Sequence, residues 1–138
     1  MADQVLFELV SPEKLLISEP VDQVIVPGTE GDFGVLPHHN SLISTIRPGV
    51  IYVLKDGKVA ERIFIEGGFA EVTGESCTIL AEKALPVSEI DRAAAEKAIA
   101  DAREDIADAK DDDERENAAA ALKLAEARLT AAVEPSLY

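Results

Sequence analysis

The sequence has little of what most secreted, membrane-spanning or catalytic proteins use. Its 138 residues include one cysteine, two histidines and no tryptophan. A single cysteine cannot form an intrachain disulfide, and Cys77 lies in an apolar alternation that favours a buried, inert thiol. No apolar run reaches the ~20 residues that a transmembrane helix needs, and residues 1–4 lack a basic leader. We therefore expect a soluble, cytoplasmic protein.

Basic residues are scarce as well. Lysine and arginine together number 13 against 27 aspartates and glutamates, which gives a net charge of −14. Such a charge repels phosphate backbones and anionic lipid head groups, so we expect no nucleic-acid binding and no direct lipid insertion. Basic protein partners remain compatible with it, and the charge also keeps the protein soluble.

The composition changes near residue 88. Before about residue 84 the apolar residues are mainly Val, Ile, Leu and Phe, which favour strands, and after residue 88 they are mainly Ala, which favours helix. The pattern predicts a β-sandwich domain of about ten short antiparallel strands over residues 1–87. It predicts an antiparallel α-helical hairpin over residues 88–138.

The first part contains several strand signals. The clearest is a hairpin over residues 50–65, where two β-rich runs flank Asp56 and Gly57, a pair that suits a type I′ turn. Gly67 and Gly68 permit a bend or bulge. The other predicted strands are residues 5–10, 14–18, 23–26, 41–46, 69–73 and 77–82.

Residues 26–40 interrupt the strand pattern. They hold three glycines, two prolines and both histidines of the sequence, so we expect a shaped loop and not a regular strand. The neighbours His38 and His39 would point to opposite faces of an extended backbone, which disfavours a metal site. Glu30 and Asp32 have no nucleophile nearby, so an acid-base pair is also disfavoured. We predict no catalytic residue, no metal and no cofactor; the alternative of a metal-dependent sandwich enzyme is disfavoured and requires a bound metal ion.

The second part carries two helical stripes. Ser88 and Asp91 resemble a capping box, from which a first helix of about 22 residues is predicted. The acidic residues 111–114 end it and begin a second helix over about residues 114–133, which Pro135 ends. Because the facing residues are mostly alanine, the hairpin has a thin core and is either a fixed brace or a mobile element. The predicted facing residues are Ile90, Ala95, Ile99, Ala102, Ile106 and Ala109 on the first helix, and Ala118, Leu122, Ala125, Leu129 and Ala132 on the second.

Three blocks in this order resemble a known family. Residues 26–39 (VPGTEGDFGVLPHH), 46–49 (IRPG) and 65–69 (IEGGF), followed by the alanine-rich hairpin, closely resemble the ε subunit of bacterial F-type ATP synthases. The resemblance covers effectively the whole sequence.

The resemblance implies a non-catalytic rotor subunit in the central stalk. Such a subunit binds subunit γ, stands on the ring of c subunits at the cytoplasmic face of the bacterial inner membrane, and couples ion-driven rotation to ATP synthesis. The family's loops that face the c ring match two segments here, whose residues are Glu30, Gly31, Asp32, Phe33, Pro37, His38, His39 and Asn40.

The resemblance also implies a regulatory role for the hairpin, which in this family can extend towards the α/β catalytic head and block ATP hydrolysis. Some members bind ATP through a segment that here retains Ile90 and Asp91 but has Ala94 in place of the arginine. The second helix offers only Arg115, Lys123 and Arg128 as basic residues. We therefore expect weak or absent inhibition. The alternative function is a free-standing acidic regulatory module that senses a small ligand such as ATP.

Overall fold

The computed structural model describes residues 3–138 as two compact units. The first extends to Pro86 and includes Leu137–Tyr138, and the second is Val87–Ser136. Residues 1–4 are those in which the sequence shows no basic leader, and two of them, Met1 and Ala2, lie outside the described residues.

The first unit is a β-sandwich, as the sequence predicts. Within residues 3–138 there are ten strands. They are β1 Val5–Val10, β2 Leu15–Val21, β3 Gln23–Gly28, β4 Gly31–Val35, β5 Leu42–Ile46, β6 Gly49–Lys55, β7 Lys58–Ile65, β8 Gly68–Val72, β9 Ser76–Ala81 and β10 Ala84–Pro86. The sequence pattern did not predict the short strand β10, which pairs with β7.

The strand order is β10-β7-β6-β3-β5-β8-β9-β1-β2, with β4 on the other side of β3. A single residue pair, Gly28 with Ile46, joins β3 to β5, and the sheet divides into its two layers at this point. The expectation that all strand pairs are antiparallel is wrong for β1 and β9, which run parallel. Pattern reasoning pairs strands that a turn connects, whereas these two meet only through the tertiary fold.

Alternating side chains fill the space between the layers. In β1 the residues Val5, Phe7 and Leu9 are buried, and in β9 Cys77 and Ile79 are buried. Cys77 is therefore a core residue, and burial raises the pKa of its thiol to about 12.

The segment 26–40 contains a strand that the sequence did not predict. β3 and β4 pair in antiparallel register around the turn Thr29-Glu30, with Gly28 opposite Gly31. The expectation of a loop without regular structure is wrong for Gly31–Val35. The glycines weaken intrinsic strand preference, but backbone pairing with β3 compensates, and Gly31 supplies a φ of 129° at the turn.

The hairpin between β6 and β7 has the predicted turn. Asp56 has a φ of 54° and Gly57 a φ of 75°, the positive angles that a type I′ turn requires. The prediction from the Asp-Gly pair is confirmed.

The second unit contains a 3₁₀ helix at Val87–Glu89, helix α1 at Arg92–Asp108 and helix α2 at Asp112–Val133. The predicted start at Ser88 is wrong, because Asp91 is the N-cap and its carboxylate accepts a hydrogen bond from the Ala94 N–H at 3.1 Å. The acidic run separates the helices as predicted, and Asp111 caps α2 through the Glu114 N–H at 2.8 Å.

The buried seam of the hairpin is small. Its buried residues are Ala95, Ile99, Ala102, Ala118, Ala125 and Ala131. Ala131 takes the buried place predicted for Ala132, while Ile106, Leu122 and Leu129 are half-buried. Neither helix in residues 3–138 is long and apolar enough to cross a membrane.

Candidate functional site

The turn between β3 and β4 is held by an arginine from the next turn along the sheet. Arg47 donates from Nη1 to the Gly28 carbonyl oxygen at 2.6 Å and from Nη2 to Asp32 Oδ1 at 2.5 Å. Its backbone N–H donates to the Pro27 carbonyl oxygen at 2.9 Å. Charge-assisted bonds of this kind are stronger than neutral ones, so Arg47 fixes the shape of the turn.

Close packing beneath the turn explains its glycine. A Cβ at Gly28 would lie 2.8 Å from the Gly31 carbonyl oxygen and 2.9 Å from Cε1 of Phe33. Phe33 itself is half-buried and packs against the core. Of the predicted docking residues, Phe33 therefore anchors the turn from inside.

The tip of the turn faces solvent. Thr29 is bound to Thr45 twice, through its backbone N–H at 3.1 Å and through the two hydroxyl groups at 2.8 Å. Glu30 is exposed beside it. Glu30, Asp32 and Arg47 thus form a polar surface on a braced backbone, which we call the turn patch.

Residues 37–40, the histidine loop, lie beyond the other end of β4. His38 has a φ of 65°, and its backbone N–H donates to the Gly74 carbonyl oxygen at 2.8 Å. Its Nε2 lies 2.8 Å from Asp3 Oδ2, and both side chains are exposed. His39 Nδ1 lies 2.6 Å from the Asn40 carbonyl oxygen. The two imidazoles thus have separate partners, and within residues 3–138 no three metal-binding side chains converge on one point.

The structure does not bring the two predicted segments into one cluster. His38 follows Asp32 by six positions of mostly extended backbone, a span of roughly 20 Å. The β3–β4 turn contacts the β5–β6 turn, and the histidine loop contacts the β8–β9 turn. The site is therefore two polar patches that β4 holds apart.

A row of mostly apolar and mostly exposed side chains, which we call the apolar row, crosses the other layer; in it Thr45 is polar and Val10 is half-buried. Register places Thr45 opposite Phe69, Phe69 opposite Leu80, and Leu80 opposite Val10, with Leu15 paired to Val10. Phe69 is 54% exposed and Leu80 is 44% exposed. The row spans β5, β8, β9, β1 and β2, about 19 Å at the usual strand spacing. A contiguous exposed apolar surface of this kind is typical of a protein interface.

Sequence reasoning missed three contributors to the patches: Arg47, Asp3 and Tyr138. Arg47 lies in one of the three matching blocks, but the sequence pattern gives it no role. The Tyr138 hydroxyl donates to Asp32 Oδ2 at 3.1 Å, although the two residues are 106 positions apart. No local sequence signal predicts a contact over such a separation.

Comparison with known proteins identifies the family. Residues 4–87 match the family described as ATP synthase, Delta/Epsilon chain, beta-sandwich domain, and residues 91–137 match the C-terminal domain of the ATP synthase epsilon chain. The protein belongs to the ATP synthase epsilon chain family. It is 57% identical to the ATP synthase epsilon chain of Maricaulis maris over 120 residues, 87% of this protein and 90% of the relative. It is 49% identical to that of Rhodospirillum rubrum over 131 residues, 95% of this protein and 98% of the relative.

A solved structure has the same fold. One subunit in the cryo-EM structure of the Euglena gracilis mitochondrial ATP synthase, comprising OSCP, F1 and the c-ring in rotational state 1, is similar with a TM-score of 0.81. The two are 29% identical, and the match covers 92% of this protein and 80% of the other. Epsilon chains of ATP synthase are subunits of that complex, so this family membership supports a role in an assembly.

The retained part of the family's ATP segment has structural tasks here. Ile90 is buried, and Asp91 caps α1. Ala94 stands where the resemblance places the arginine, and Arg92 is exposed on the first turn of the helix. Burial of Ile90 and capping of α1 by Asp91 are thus structural roles that need no bound nucleotide.

Proposed function

We propose that this protein is a non-catalytic rotor subunit of a bacterial F-type ATP synthase, which couples rotation of the c ring to subunit γ. The observation that carries the proposal is the pairing of two different exposed surfaces on one sandwich: the apolar row and the braced polar patches. A part that transmits torque needs an attachment on each side and little compliance between them. This role also places the protein peripherally, at the cytoplasmic face of the inner membrane.

The apolar row is the proposed attachment to γ. Its Phe69 and Leu80 side chains form a directly opposed pair at its centre, where loss of solvent would stabilise a complex most. Both side chains are already about half buried, so covering the remainder of the two is worth on the order of 1.5–3 kcal/mol.

Introducing a charge into this pair tests the attachment. We expect Phe69→Glu to abolish co-purification with γ, because the carboxylate would be buried without a partner. Lys58→Gln changes the net charge by the same amount at the exposed β6–β7 turn and should leave binding intact. Equal binding by both variants would contradict the assignment of this face.

The turn patch and the histidine loop are the proposed contacts with the c ring. Both present polar side chains, and both have backbones tied to a neighbouring turn, by Arg47 in one case and by the bond from His38 to Gly74 in the other. Stiffness follows from these bonds, since neither segment can move without breaking them.

Charge reversal at the exposed tip tests this contact. Glu30→Lys should lower the proton pumping that accompanies each ATP hydrolysed in reconstituted vesicles, while ATP hydrolysis by the head persists. Glu82→Lys makes the same change at another exposed position and should not uncouple the enzyme. Uncoupling by Glu82→Lys alone would refute the placement.

We further propose that the hairpin inhibits ATP hydrolysis weakly at most. Of the basic residues on α2, Arg115 is already paired with Asp112 at 2.8 Å, and the helix begins with three acidic residues. The resemblance implies that an extended hairpin meets an acidic segment of subunit β, which these acids would repel. Adding the protein to an ε-depleted head complex should leave most of the hydrolysis rate unchanged, and strong suppression would contradict this part. Calorimetry with ATP separates the rotor role from the ligand-sensing module, which requires specific binding.

A further inference from the structure

Tyr138 occupies a defined position on the sandwich. Its hydroxyl donates to Asp32 Oδ2 at 3.1 Å, and its ring meets the Tyr52 ring edge-on, with centroids 4.9 Å apart and planes at 75°. Tyr52 is 5% exposed and lies on β6. Leu137–Tyr138 is accordingly part of the compact unit that the strands form.

The groups that receive Tyr138 come from separate elements. Asp32 is on β4, Arg47 lies in the β5–β6 turn, and Tyr52 is on β6 with the Arg62 guanidinium carbon 5.9 Å from its ring centroid. Arg47 holds one carboxylate oxygen of Asp32 and Tyr138 holds the other. An edge-to-face aromatic pair and a bond to a charged acceptor together give both affinity and orientation.

We infer that Asp32, Arg47 and Tyr52 form a binding site for the side chain of Tyr138, so that the segment following α2 competes with the rotor ring for Asp32. The competition rests on the proposed function, because it requires the turn patch to be the ring contact. The site for Tyr138 does not depend on it.

The competition follows from the occupancy of the Asp32 carboxylate. Each oxygen can accept a second hydrogen bond, but an added donor weakens the bonds that the carboxylate already makes, so a donor from the ring competes with Arg47 and Tyr138. Arg47 also holds the Gly28 carbonyl and is charged, whereas Tyr138 is neutral and 51% exposed. Tyr138 is therefore the partner that leaves. Ring docking would therefore free Leu137–Tyr138, the segment that follows the hairpin in the sequence.

The electrostatics of the site give it a pH limit. Burial raises the pKa of Tyr138, as do the hydrogen bond and the negative charge of Asp32 and the nearby Tyr52, while Arg47 acts in the opposite direction. The protonated Tyr138 hydroxyl therefore stabilises the bound state fully at pH values below the ordinary pKa of a tyrosine, about 10. This stabilisation is lost as the pH rises through the raised pKa of Tyr138. The contact should therefore open in strongly alkaline solution.

NMR of the full-length protein with ring-labelled tyrosine tests the site directly. The sequence has only two tyrosines, so Tyr138→Phe assigns both sets of signals. We expect contacts between the two rings and a Tyr138 pKa above its ordinary value, which Asp32→Asn lowers towards that value. Glu30→Gln removes the same charge two residues away and should have little effect. Equal effects of the two variants, or no contact between the rings, would refute the site.

Binding to purified c ring tests the competition. Tyr138→Ala should strengthen ring binding by about twofold to tenfold, the range expected for loss of one competing hydrogen bond. Leu137→Ala, whose side chain is exposed, is the matched control and should leave the affinity unchanged. Unchanged affinity in Tyr138→Ala would overturn the competition. Failure of the unmodified protein to bind the ring would refute both ring docking and the competition, while the NMR result still decides the site.

Discussion

Gly68 begins β8, where the structure leaves no room for a side chain, so Gly68→Ala should be among the most damaging small substitutions in this protein. Gly68 has a φ of 148°, and an added Cβ would overlap the Leu80 carbonyl oxygen and lie 3.0 Å from the Leu80 carbonyl carbon. These atoms are backbone in the paired strand β9, so they cannot rotate away. The backbone angle costs about 1–3 kcal/mol and the forced separation of strands a similar amount, so we expect a loss of roughly 3–5 kcal/mol.

Two other glycines provide the matched series. Gly57 has a φ of 75° but nothing within 4 Å of an added Cβ, so Gly57→Ala should cost only about 1–2 kcal/mol. At Gly74 the nearest atoms are 3.7 and 3.8 Å away and the angle is ordinary, so Gly74→Ala should stay within about 0.5 kcal/mol. Urea unfolding followed by the amide signals of Val72 and Ile79 reports on the sandwich. If Gly68→Ala and Gly57→Ala lose equal stability, the steric argument is wrong.

Three further predictions concern single groups. Because burial raises the pKa of Cys77 to about 12, its thiol should be unreactive towards a disulfide reagent at mildly alkaline pH and should react rapidly in denaturant; fast reaction of the native protein would contradict its burial. Burial also raises the pKa of Glu61; the hydrogen bond and charge of Glu19 add to this shift, and the charge of Lys55 opposes it. Protonated Glu61 therefore favours the folded state, and this contribution to stability is lost as the pH rises. Glu61→Gln should therefore raise the melting temperature at about pH 8 and have little effect near about pH 4, below the ordinary pKa of a glutamate, and the opposite order would refute the assignment. Asp111→Ala removes the cap of α2 and should destabilise the hairpin by about 1 kcal/mol, measured by helical circular dichroism during thermal unfolding, while Asp111→Ser should retain most of the cap.

Several features followed from the sequence because their causes are local. The strand Val5–Val10 has the predicted bounds, the Asp56-Gly57 turn has the predicted angles, and the acidic run divides the two helices. In each case adjacent residues determine the structure, through alternation, turn chemistry or capping. The start of α1 was mispredicted because Ser88 and Asp91 both make acceptable caps, and the 3₁₀ helix at Val87–Glu89 decides between them.

The sequence by itself determined the family, the change from strands to two helices, most of the strands, and the segments that carry the polar residues. Only the tertiary structure decided that β1 lies parallel to β9, that the half-buried Val10 aligns with the exposed Phe69 and Leu80, and that Arg47 and Tyr138 share the Asp32 carboxylate. These contacts join residues far apart in the sequence. Their energies depend on how whole strands pair and pack, and a local pattern of residues does not contain that information.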